Sequence, residues 1–116
     1  MKIELATTCL KKENISICIC NEKKKLVARI FGEIDHHTAP KIRSKIDECL
    51  YLYKNDLKFL IIDMKNVTFM DTSGIGLMLG RFKISNSMNI LLKVINIPEN
   101  LKRIINLSGI KNLGIL

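Results

Sequence analysis

The amino-acid sequence predicts a single α/β domain: a mixed sheet of four to five strands, opened by an N-terminal hairpin, with helices packed on it. Three observations carry this. Two strand-like runs follow one another across a short polar turn near the N-terminus. A continuous apolar run, bounded by polar residues, stands mid-chain. Segments with apolar residues at helical spacing alternate with the strands that come after the hairpin.

The hairpin comes first. In "NISICIC" (residues 14–20), Ile15, Ile17 and Ile19 share one face and Ser16, Cys18 and Cys20 the other, the period-two pattern of a half-buried strand. "KLVARIF" (25–31) reads as its partner, Asn21 to Lys24 as the turn, and Gly32 as the end of the pair. Residues 1–12 read as an extension or an extra edge strand, with the domain proper over 13–116. In the next segment Ile42, Ile46, Cys49, Leu50 and Tyr53 form one helical stripe. Asp35 or Thr38 serves as its cap, and Pro40 is tolerated in the first turn.

"LKFLIID" (57–63) carries a short continuous apolar run bounded by Lys58 and Asp63, as a central buried strand should. A loop is expected after it, and then the helix of "FMDTSGIGLMLGRFK" (69–83), with Ile75, Met78, Leu79 and Phe82 as its stripe. This helix is expected to be the most buried of the three. "NILLKVIN" (89–96) reads as a further strand. "IPENLKRIINLSG" (97–109) reads as a last helix, with Pro98 at its start, Leu101, Ile104 and Ile105 inward and Gly109 as its stop.

Composition narrows the function classes. At 116 residues the chain is long enough for one core and too short for two. No apolar run approaches the roughly 20 residues of a membrane span, and the N-terminus lacks the apolar segment of a signal peptide. A cytoplasmic protein without membrane attachment is expected. Cys18 and Cys20 share a strand face and cannot comfortably bridge each other. No second Cys pair completes a zinc site, so reduced, mostly buried thiols and no bound metal are expected. The net charge of +8 permits an acidic partner. The lysines are dispersed, however, and no aromatic interleaves with them as a stacking platform requires, so direct nucleic-acid binding is not expected.

The polar tetrad Asp71-Thr72-Ser73-Gly74 between apolar runs is the candidate site. It sits where a helix begins after a strand, the edge at which open α/β sheets carry function. If Asp71 caps the helix, its carboxylate accepts from backbone N–H groups near Ser73 and Gly74. The Ser73 hydroxyl is then free to face solvent, with Gly74 and Gly76 clearing space around it. A phosphoryl group on Ser73 would add about −1.5 to −2 charges at a helix N-terminus, which the dipole and free N–H groups favour. Such a modification changes the surface while leaving the fold intact. The bland alternative is a helix cap and nothing more. A phosphate-cradling loop lacks its lysine, and Leu79 stands where the third glycine of a dinucleotide fingerprint belongs. An enzyme lacks an evident activating base for Ser73, and Asp35-His36-His37 reads as a cap with solvated histidines.

"FGEIDHHTAPKI" and "FMDTSGIGLMLGRFK", in this order and at this separation, resemble the paired signatures of the STAS domain in anti-sigma factor antagonists. The resemblance runs from about Glu13 to the C-terminus and takes in "NLSGIKNLGIL" as a helix end and a final short strand. It implies a non-enzymatic switch. The bare protein binds an anti-sigma factor that is also a serine kinase, and so frees a sporulation sigma factor. The kinase, using its own ATP and magnesium, phosphorylates the antagonist, and a metal-dependent serine phosphatase reverses this. The antagonist itself needs no cofactor.

By the same resemblance Ser73 is the phosphoacceptor, with Thr72 the lesser candidate. Asp71, Gly74, Gly76 and Asp35 support the phosphorylation loop, and Glu33, Asp35 and Ser73 meet the partner. Thr72 stands where relatives commonly have serine. The chain stops at Leu116 where relatives often continue, so the C-terminal helix is expected to be shortened or absent. A monomer with weak self-association is implied. A stress-response antagonist of the same family, and a nucleotide- or small-molecule-binding STAS module, are the alternative readings.

Overall fold

The computed structural model describes residues 8–12, 14–20 and 23–116, with side chains from residue 14 onward. Strands β1 (Thr8–Lys12), β2 (Ile15–Cys20), β3 (Lys25–Ile34), β4 (Phe59–Met70) and β5 (Leu91–Ile95) form one sheet in sequential order. β1/β2 and β2/β3 are antiparallel, whereas β3/β4 and β4/β5 are parallel. Parallel neighbours need a crossover. Helices α1 (Ala39–Tyr53) and α2 (Thr72–Ser87) supply the two required, and the short α3 (Lys102–Ser108) follows β5.

The core lies between one sheet face and the helices. Ile15, Ile17 and Ile19 of β2 are buried, as are Leu26, Ala28 and Ile30 of β3 and Leu60 and Ile62 of β4. Against them pack Ile42, Ile46 and Leu50, the α1 stripe read from the sequence. Pro40 stands in the first turn of α1, as expected.

Four expectations need correction. β4 does not end at Asp63 in a loop but runs on to Met70. Register shifts between Arg29 and Phe31, and between Gly32 and Glu33, let β3 keep pairing with it. Bulges of this kind break strict alternation: Met64, Val67 and Met70 are buried at intervals of three, a spacing that hides a strand from a period-two reading. Secondly, α2 buries Gly74, Leu77, Met78, Arg81 and Ser85. Of the expected stripe, Met78 is buried and Ile75 and Phe82 pack half-buried against the core, but Leu79 is exposed, so the inward face is wider on the Leu77 and Arg81 side than the stripe allowed. Thirdly, Cys18 is disulfide-bonded, while Cys20 and Cys49 are free and half-buried. Spacing along one strand relates Cys18 only to Cys20, whereas the pairing of β1 with β2 sets Cys9 opposite Cys18. Lastly, the expected final short strand is a 3-10 turn over Ile110–Leu113, after which Val94 N donates to the Ile115 carbonyl at 2.7 Å. A 3-10 turn over Glu99–Leu101 precedes α3, and Gly109 stops that helix with a left-handed φ of 77°.

Candidate functional site

Because β4 runs to Met70, the tetrad begins directly at the carboxyl end of a central strand. Asp71 is the N-cap of α2: its backbone is extended, and its carboxylate accepts from Ser73 N at 2.8 Å. Gly74 N instead donates to the Asp71 carbonyl at 3.0 Å. The cap anticipated from the sequence is therefore made, with Ser73 N as the side chain's partner. Asp71 N donates in turn to the Ile34 carbonyl at 3.1 Å, which stitches the ends of β3 and β4 together.

Ser73 is half-buried, and its hydroxyl has no hydrogen-bond partner among the described residues. Thr72 beside it is exposed. The two nearby glycines differ in kind. A Cβ on Gly74 would collide with the Met70 side chain and meet Ile34 Cγ2 at 3.4 Å, so this glycine lets α2 sit down on β4 and is not clearance for an approaching partner. A Cβ on Gly76 would meet nothing within 4 Å, and this exposed position does leave the approach to Ser73 open.

The segment after β3 forms a hydrogen-bonded turn. Asp35 Oδ1 accepts from His37 N at 2.9 Å and from Thr38 N at 3.0 Å. Thr38 Oγ1 donates to the Glu33 carbonyl at 2.9 Å and accepts from Asp35 N at 3.0 Å. These backbone donors hold the Asp35 carboxyl below its ordinary range. Thr38 is the N-cap of α1 by position, but its side chain makes no cap bond; Asp35 organises the turn ahead of the helix. Glu33 is exposed near the end of β3, on the strand itself rather than on the following loop. His36 and His37 are exposed, with ring centroids 4.1 Å apart.

Between α1 and α2 a groove of about 430 Å³ opens beside Ser73. His36, Ala39, Pro40 and Arg43 line one side, and Ser73, Gly76, Leu77, Gly80 and Arg81 the other. Glu33, Asp35 and Thr72 are not among its lining residues. The sequence reading missed Arg81, which is only 3% exposed and lies 2.9 Å (Nε to Oδ1) from Asp47 of α1. Its spacing of four from Leu77 and three from Met78 was the available signal, since those positions define the inward face of α2. Among the described residues no group of three or more His, Cys, Asp or Glu side chains could hold a metal ion, and no helix is long and apolar enough to cross a membrane.

Residues 11–114 match the STAS domain family model. The chain is 31% identical over 97 residues to the anti-sigma F factor antagonist of Paenibacillus polymyxa, covering 84% of this chain and 81% of that protein. It is 32% identical over 100 residues to the anti-sigma-B factor antagonist of Bacillus subtilis (strain 168), covering 86% and 88%. Among solved structures it resembles the unphosphorylated anti-sigma factor antagonist SpoIIAA, with a TM-score of 0.63 and 27% identity over 78% of this chain and 79% of that one. The phosphorylated form of SpoIIAA from Bacillus matches at the same TM-score and identity, over 84% and 86%.

Proposed function

Because the chain belongs to the STAS domain family, among the anti-sigma factor antagonists, we propose that it is a phosphorylation-controlled binding switch. In this reading the unphosphorylated chain docks on an anti-sigma factor that is also a serine kinase, and a sporulation sigma factor is released. Phosphorylation of Ser73 ends the interaction. The observation that carries the reading is the Ser73 hydroxyl, unbonded among the described residues and placed at the head of α2 on an open flank of the fold.

Ser73 Oγ attacks the γ-phosphorus of ATP held with magnesium by the kinase. The bond from that phosphorus to the β–γ bridging oxygen breaks, ADP leaves, and the serine proton passes to a base on the kinase. This chain contributes the nucleophile and its placement. Asp71 keeps Ser73 at the start of the helix by holding its N–H. The added phosphate gains from the helix N-terminus but stands beside the Asp71 carboxylate. The fold is retained, and a partner surface fitted to the bare serine is repelled. A metal-dependent serine phosphatase resets the switch, and Glu33 and Asp35 flank the docking surface.

Relatives named for sigma F and for sigma B match almost equally well. A stress-response sigma factor is therefore the second reading, with the same chemistry at Ser73.

The test is intact-mass and peptide mass spectrometry after incubation with the anti-sigma F and anti-sigma-B kinases and Mg-ATP, with Ser73→Ala in parallel. One phosphoryl group on Ser73, absent from the variant, supports the switch, and the kinase that adds it identifies the sigma factor. Phosphate on Thr72 moves the site by one residue. No modification by kinases active on their own antagonists overturns the reading.

A further inference from the structure

α2 carries two glycines that its own fold does not require. Gly76 and Gly80 lie in the helix without positive φ, and a Cβ on either would meet nothing within 4 Å. Glycine in a helix interior weakens it, and neither strain nor close packing accounts for these two. With Ser73 they floor the groove between α1 and α2, which runs about 12 Å from Ser73 to Arg81 at the helical rise.

At the far end stands a second anomaly. The Arg81 guanidinium is buried, and its Nη1 has no hydrogen-bond partner among the described residues. Its Nε lies 2.9 Å from Asp47 Oδ1, yet the alignment is poor enough that neither atom completes a hydrogen bond. Burial pushes the Asp47 carboxyl up and the Arg81 guanidinium down, against their mutual attraction. The ion pair therefore leaves both charges under-compensated. Arg43, exposed on α1, faces the same carboxylate and lines the groove. Two guanidiniums against one carboxylate leave a single positive charge unmatched, which suits a carboxylate better than a phosphate dianion. The methyl of Ala39, the Pro40 ring and Leu77 form an apolar wall that an aliphatic stem can follow.

We propose that the groove between α1 and α2 is a docking slot for a glutamate side chain of the anti-sigma factor that meets Ser73. Its methylenes lie over Gly76 and Gly80, and its carboxylate is received by the exposed Arg43 and by Arg81 Nη1, whose buried guanidinium turns towards the groove to meet it. This deepens the function proposed above and rests on it for the identity of the partner. The docked glutamate holds the partner over Ser73 from one side, through charges unlike those of Glu33 and Asp35.

The test measures binding of the unphosphorylated full chain to the anti-sigma F and anti-sigma-B factors by calorimetry. It compares wild type with Gly80→Leu, which fills the groove, with Arg43→Glu, and with Arg103→Glu, the same charge change on α3. Circular dichroism checks that each variant is folded. The slot predicts a loss of at least about tenfold in affinity for the first two variants, with Arg103→Glu within about twofold of wild type. Both groove variants binding within about twofold of wild type overturns it.

If wild type binds neither factor, the proposed function fails by itself and the isolated chain decides the slot. N-acetylglutamate amide should then shift the Gly76 and Gly80 amide resonances saturably. N-acetylglutamine amide should not, and Gly80→Leu should abolish the response. No shift overturns the slot. A stronger saturable response to pyrophosphate, lost in Gly80→Leu, overturns the choice of a carboxylate.

Discussion

The amide of Asp71 donates to the carbonyl of Ile34 at 3.1 Å, so the residue that caps α2 is also the last link between β3 and β4. One bond thereby places two segments far apart in sequence on the same edge of the sheet. The Asp35 turn lies on one side and Ser73 on the other. The site is a joint between two strand ends.

Removing the cap should weaken the domain without unfolding it. Asp71→Ala leaves Ser73 N without its acceptor, at a cost of about 1 kcal/mol. Asp71→Asn, which retains an acceptor oxygen, should lose less. Urea titration followed by circular dichroism gives both values, and equal stability of Asp71→Ala and wild type would remove the capping role.

Gly74 and Gly76 should answer the same substitution with opposite signs. Gly74→Ala forces the buried Met70 side chain to move, and overpacking of this kind costs about 1–3 kcal/mol. Gly76→Ala meets open space and should stabilise the helix by up to about 1 kcal/mol. Thermal melts of the two variants side by side decide it.

Ser73 should be dispensable for stability. Its hydroxyl has no partner among the described residues, so Ser73→Ala should stay within about 0.5 kcal/mol of wild type. Phosphorylation of that variant should be lost all the same. A large drop in its melting temperature would show the hydroxyl to be structural.

Asp47 and Arg81 should be coupled. Arg81→Met leaves the half-buried Asp47 carboxylate without its closest cation. Buried pairs broken on one side lose about 3–5 kcal/mol, and the partial exposure of Asp47 should bring this towards about 2 kcal/mol. Adding Asp47→Leu should recover most of the loss. Chemical denaturation of the two single variants and the double variant completes the cycle, and a strictly additive result would refute the coupling.

Acid should loosen the Asp35 turn. Its carboxyl sits below the ordinary value of 3.8, first because Thr38 N and then His37 N donate to it. The folded state therefore binds this proton less readily than the unfolded chain. The stability it contributes is present above about pH 3.8 and is lost as pH falls through its lower folded value. Asp47, raised by burial against the pull of Arg81 and Arg43, acts in the opposite sense: its stability contribution is greatest below 3.8 and falls as pH rises through its folded value. Carboxyl carbon NMR should show Asp35 titrating below 3.8 and Asp47 above it. Asp35→Asn should flatten the acid limb of the stability profile.

Local pattern by itself determined a good part of this protein. The alternation of Ile15, Ile17 and Ile19, the 3.6-residue stripe of Ile42, Ile46 and Leu50, and the Asp71 cap depend on neighbours within a few residues, so they can be read along the chain. The paired signatures around Glu33 to Ile42 and Asp71 to Lys83 likewise carry the family resemblance in the linear sequence. Only the tertiary structure decided the rest. The extension of β4 to Met70 depends on bulged pairing with β3, and the role of Gly74 depends on where Met70 packs. The burial of Arg81 depends on α1 bringing Asp47 to 2.9 Å, and the groove beside Ser73 exists only once two helices lie side by side on the sheet. Each of these is a contact between distant segments, and linear spacing holds no record of which distant segments meet.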